Sequence, residues 1–179
     1  MGHSRRRRVE EVIAHEVLLL AVLLTVALVQ TTLLPRPFDM PFNLLLLLTI
    51  CHGLIAGTTS AARWAFYGGL ALDLCALTLL GLHALALLAG VIAAAQALLR
   101  LSRDNWLVPV AGVALGSLVY HVVYAVLSML LVAPVDVQEY GLYVLLPDTL
   151  VATIPSLPVY LVFRWYDDRV RQRVPVDVL

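Results

Sequence analysis

The sequence predicts an all-α, polytopic membrane protein in a single domain over residues 1–179, with six transmembrane helices. Three observations lead there. Of the 179 residues, 61% are hydrophobic and 13% charged, whereas an average soluble domain is nearer half apolar and a quarter charged. A chain this short keeps a large surface for its volume, so the apolar surplus finds no interior in water and lipid is the expected solvent. Six apolar runs are each long enough to cross a hydrocarbon core of about 30 Å, which takes about 17–25 helical residues. Finally, the basic residues fall almost entirely on one side of those runs.

The first span is read over about 14–34. Its lead, "SRRRRVEEVIAHEVLLLAVLLTVALV", has the basic start and apolar run of a signal peptide. The run is long enough to span and no A-x-A-like cleavage site follows, so it is read as a retained transmembrane helix. Two glutamates follow the arginines at once, unlike a twin-arginine signal, and Arg6 stands where myristoylation needs Ser or Thr. The remaining spans are read over about 42–58, 64–80, 83–100, 107–132 and 142–163. The joints are short: "RPFDMP", "TTSAA", "GL" and "LSRDNW", with only "APVDVQEYG" longer. Pro35, Pro37 and Pro41 mark the first joint as a turn region. Pro109 suits the first turn of a helix, where its missing N–H costs nothing. Pro147, Pro155 and Pro158 fall inside the sixth segment and should kink or break it, because each removes a backbone hydrogen bond.

All twelve basic residues are arginine. With the N-terminus cytoplasmic, Arg5, Arg6, Arg7, Arg8, Arg63, Arg100, Arg103, Arg164, Arg169, Arg171 and Arg173 lie inside and Arg36 alone lies outside. That positive-inside bias puts both termini in the cytoplasm. Trp64, Trp106, Tyr140, Trp165 and Tyr166 sit near the expected interfaces. Net charge is zero, so no global field attracts nucleic acid. Cys51 and Cys75 lack C-x-x-C or zinc-ligand spacing and read as buried thiols.

Polar residues at depth are few: Asn43, His52, Asp73, Gln96, His121 and Asp148. At about 1.5 Å of rise per residue, His52 and Asp73 both land near the midplane, and His121 and Asp148 match in the outer half. Two buried His/Asp couples are therefore expected. A lone carboxylate at the bilayer centre costs roughly 3 kcal/mol on insertion scales, and a histidine partner or a proton reduces that cost. Helix-to-helix glue, contact with a ligand or ion, and a proton relay all use these residue types. A zinc site would need four ligands at one depth, and a catalytic site a nucleophile with an oriented base. No catalytic residue, metal site or cofactor is assigned. Small residues recur one turn apart at Gly53/Gly57, Gly69/Asp73 and Gly112/Gly116, which lets helix backbones approach closely. Gly53, Gly57, Gly69, Gly81, Gly112 and Gly116 are thus expected at helix-packing or partner contacts.

After the first span comes "LLPRPFDMPFNLLLLLTICHGLIAG", then "RWAFYGGLALDLCALTLLGLHALALLAG", a short basic loop and two further spans. This order, with Pro41, Leu44, Leu45, Leu46, Gly53, Gly57, Phe66, Gly69, Asp73, Leu74, Gly81, Ala84 and Leu85 at the matching positions, resembles the bacterial rod shape-determining protein MreD family. The last third matches by layout alone. The resemblance implies a non-enzymatic subunit of the cell-elongation machinery in the bacterial inner membrane. It implies binding to MreC, a single-span protein, and through it support of the RodA glycosyltransferase and its penicillin-binding transpeptidase partner, beside the MreB filament. It also implies a fold resembling the substrate-binding subunits of energy-coupling-factor vitamin transporters, which supply the alternative function. Such a subunit should show an outer pocket lined by aromatic and polar groups; the outer loops offer Arg36, Phe38, Asp39, Asp136, Glu139 and Tyr140. The Arg5–Arg8 cluster and the tail "RWYDDRVRQRV" can meet anionic membrane lipid, each basic residue contributing about 1 kcal/mol.

Overall fold

The computed structural model describes residues 3–33, 43–98, 106–134 and 136–172. Pro35, Arg36, Pro37, Phe38, Asp39, Pro41, Arg100, Arg103 and Arg173 lie outside the described residues, as do the side chains of Arg5 to Arg8 and Arg171. Among the described residues the fold is all-helical, without a strand. The elements are α1 (His3–Leu28) running into a π turn (Val29–Leu33), α2 (Leu44–Ala56), α3 (Thr58–Ala76), α4 (Leu82–Leu98) and α5 (Leu107–Leu131). They are followed by α6 (Val137–Tyr140), a second π turn (Gly141–Leu145), α7 (Leu146–Thr153) and α8 (Ser156–Gln172).

The centre of the molecule is α2, which touches α1, α3, α4, α5, α7 and α8. Its leucine run explains the position: Leu45, Leu46, Leu47, Ile50 and Cys51 are all buried. Asn43 starts it, its side chain accepting from the Leu46 amide at 3.1 Å as an N-cap should. Around this hub α3, α4 and α5 pack in sequence, while α1 lies mainly against α3. Much of α1 is exposed and apolar, with Val12, Ile13, Val17 and Leu18 each more than half exposed. Such a face demands an apolar solvent or a partner.

Among the described residues two helices are long and apolar enough to cross a membrane, Glu10–Thr32 and Leu107–Leu131. A third crossing results if the pair Val137–Thr153 and Ser156–Arg169, bent by 47°, counts as one. The bend falls at Ile154 and Pro155, within the segment whose prolines predict a break. The other expected crossings differ in length from their sequence boundaries. With 13 residues α2 spans about 20 Å, and with 17 residues α4 spans about 26 Å. Both fall short of a hydrocarbon core of about 30 Å. In contrast α3 begins at Thr58, six residues before the expected start of its span, because "TTSAA" forms its first turns rather than a loop.

Candidate functional site

The α3–α4 hairpin explains the carboxylate at Asp73. Fully buried in the last turn of α3, Asp73 accepts from the Gly81 amide through Oδ2 at 2.8 Å and from the His83 amide through Oδ1 at 2.9 Å. The Thr78 hydroxyl donates to Oδ1 at 3.0 Å. Gly81 and His83 flank the start of α4, so Asp73 caps the N-terminus of the next helix from the end of its own. That end supplies unpaired N–H groups and a partial positive charge, which suit an ionised carboxylate. The chain turns tightly enough because Leu77 closes α3 in the left-handed region (φ 54°) and Gly81 takes φ 99°. One turn earlier, Gly69 lies against Ala84: an added Cβ would overlap the Ala84 backbone. Gly69, Asp73, Gly81 and Ala84 thus form one hairpin joint.

The expected couple between His52 and Asp73 is not formed. Depth counted from sequence boundaries puts Asp73 at mid-span, but α3 starts earlier, so its carboxylate sits near one end of the bundle. His52 is nearer the opposite end, where its Nε2 meets the Ser60 hydroxyl at 2.9 Å and its ring stacks on Trp64 at 4.1 Å. Phe163 closes the cluster. A cavity of about 530 Å³ opens there, lined in part by His15, His52, Arg63, Trp64 and Phe163. Beside it Arg63 donates to Glu16 at 2.8 Å, tying α3 to α1.

His121 and Asp148 do meet: Nε2 and Oδ2 lie 2.7 Å apart, at 4% and 1% residue exposure. Each group has a second partner. The Asn43 amide donates to Asp148 Oδ1 at 3.0 Å, and His121 Nδ1 meets the Tyr140 hydroxyl at 2.9 Å. Gln30 accepts from the Leu45 amide at 3.0 Å. The beginning of α2, the π turn after α1, α5 and α7 are therefore bound into one polar network. Nearby, His83 Nδ1 meets the Tyr120 hydroxyl at 2.8 Å. A cavity of about 350 Å³ lies among these groups, lined also by Tyr124 and Tyr140. Of the outer-loop residues offered by the sequence, Tyr140 lines it, while Arg36, Phe38 and Asp39 lie outside the described residues.

The small-residue stripes divide into two kinds. Close helix contact occurs at Gly53, where a Cβ would fall 2.7 Å from the Ala61 Cβ, at Gly112 against Leu54 and Leu98, and at Gly116 against Ile50. Gly57 and Gly81, by contrast, face open space and adopt φ 90° and 99°, so they are turn glycines rather than packing ones. Sequence reading missed Gly90, whose Cβ position lies 2.6 Å from the Gly116 carbonyl oxygen. It also missed Gln30, His83, Tyr120 and Tyr124. The i, i+4 tyrosines beside His121 were the available signal. Cys51 is buried and Cys75 half-buried, both as free thiols. Among the described residues no three His, Cys, Asp or Glu side chains group as metal ligands.

Compared with known proteins, the chain matches no family model, no curated protein and no solved structure.

Proposed function

We propose that this protein is a non-enzymatic scaffold of the bacterial inner membrane, similar to MreD, that holds partner spans for cell-wall elongation. Six crossings with both termini cytoplasmic are part of the reading, supported by the arginine asymmetry of the sequence. The observation that carries it is the α3–α4 hairpin. Residues shared with the family pattern divide there into an inward set and an outward set. Gly69, Asp73 and Ala84 face inward and build the joint. Phe66, Leu74 and Leu85 face outward, 45%, 59% and 54% exposed. An inward set that fixes a joint and an outward apolar set that stays uncovered suit a rigid docking face for another helix. The expected occupant is the single span of MreC, with RodA, its penicillin-binding transpeptidase and MreB recruited into the same complex. Catalysis is left to those partners.

The test is purification from native membranes, with photo-crosslinkers at Leu74 and Leu85. A single-span partner crosslinked at those sites, together with rounding of rod-shaped cells on depletion, is the expected result. Unchanged cell shape and no crosslinked membrane partner would refute the reading.

A further inference from the structure

We propose that the cavity among α3, α4, α5 and the π turns binds a small, uncharged, planar heteroaromatic molecule. The inference goes beyond the scaffold reading, since holding helices together requires no internal space. It rests on neither functional reading: a scaffold would use the site as a regulatory input, and a vitamin-binding subunit as its substrate pocket.

The cavity measures about 350 Å³, within the range of roughly 300–1,000 Å³ typical of small-molecule pockets. Its aromatic wall is ordered. The His83 ring stacks on Tyr124 at 4.7 Å and 19°, Tyr124 lies within 17° of Tyr140 at 6.4 Å, and His83 within 14° of Tyr120 at 6.2 Å. Four near-parallel rings form a surface that a flat π-system extends, and aromatic pairs of this kind gain beyond simple area burial. The polar lining brings Gln30, Asn43 and the His121–Asp148 pair to the same space. The side-chain NH₂ groups of Gln30 and Asn43 are donors suited to ring nitrogens and carbonyls.

Charge narrows the ligand further. Among the described residues no arginine lines this cavity, and its carboxylate, Asp148, is already matched by His121. A phosphate or carboxylate would find no fixed cation and would lose its hydration. Asn43, His121 and Asp148 are buried in the wall and hydrogen-bonded to one another and to Tyr140, which holds them in fixed positions around the space. The Tyr124 hydroxyl, with no hydrogen bond among the described residues, supplies one further donor.

The experiment uses the full chain in lipid nanodiscs and saturation-transfer NMR. The probes are adenine, nicotinamide and lumichrome, set against cyclohexanecarboxamide and benzoate. Transfer to at least one heteroaromatic probe, absent for the saturated amide and for benzoate, is expected. It should fall at least fivefold in Tyr124→Leu, which removes a stacking ring, or in Val144→Trp, which fills the space. Size-exclusion and circular dichroism identify which variants are folded, and the comparison is made on those. No transfer to any heteroaromatic probe overturns the proposal. Equal transfer in wild type and the folded variants does the same, since it reports partition into lipid or binding elsewhere.

Discussion

Asp73 serves three donors at once, and its energetic role follows from that. Asp73→Ala would leave the Gly81 and His83 amides without their acceptor in a partly buried turn. Losing a cap costs about 1 kcal/mol and each buried unsatisfied donor about 1–3 kcal/mol. The expected destabilisation is about 2–4 kcal/mol, read as a lower thermal midpoint in detergent. Asp73→Asn keeps one acceptor oxygen but turns an NH₂ toward an N–H or hydroxyl donor, so it should fall between wild type and alanine. A full-strength asparagine variant would contradict the capping role. For His121 and Asp148 the measurement is a double-mutant cycle. Contacting buried partners couple by about 0.5–3 kcal/mol, whereas His52 and Asp73, each engaged elsewhere, should be additive within about 0.5 kcal/mol. The first pair was legible because both members lie well inside their segments, so errors in boundaries cancelled. The second was not, because α3 starts six residues early, with "TTSAA" in its first turns, and this displaced the depth count for Asp73 alone.

At the scale of elements, glycines that look alike in sequence do different work. Gly69→Val must push α3 away from the Ala84 backbone, and overpacking of this kind costs about 1–3 kcal/mol. Gly57→Ala meets no neighbour, but a side chain at φ 90° and ψ 167° is strained by about 1–3 kcal/mol. Gly141 is the control: it has φ −61° and open space around it. Gly141→Ala should therefore stabilise by up to about 1 kcal/mol, because alanine loses less conformational freedom on folding. A ranking of melting temperatures with Gly141→Ala above wild type and the other two below is expected. Small-xxx-small spacing reveals candidate contacts, but it cannot tell a packing glycine from a turn glycine. That depends on backbone angles that the apolar pattern does not encode. Prolines were more readable: Pro155 lies where the last segment bends, since a missing N–H and a ring clash act locally.

Across the whole molecule, α1 is lightly embedded for its length, with Leu23 and Ala27 buried among its described side chains. Its ion pair with α3, Glu16 to Arg63, has side chains 26% and 52% exposed. Exposed pairs contribute about 0–1 kcal/mol and are screened by salt. Glu16→Gln should accordingly change stability by less than about 1 kcal/mol, with the difference shrinking as salt rises. A larger, salt-independent loss would show that this pair anchors α1. Composition made the apolar solvent and the helical class legible at once. The number of crossings was less so, because hydropathy marks apolar runs without fixing how long each helix is.

The brevity of α2 has a consequence for how the chain is made. A 13-residue rod is too short to partition alone from the translocation channel into lipid. On the six-crossing reading proposed above, it is delivered with α3 as a joined unit, its leucines sheltered by neighbours before they are ever presented to acyl chains. Biogenesis of the hub would then be obligatorily cooperative. In a glycosylation-mapping assay, residues 43–57 alone should fail to integrate, while residues 43–98 should do so.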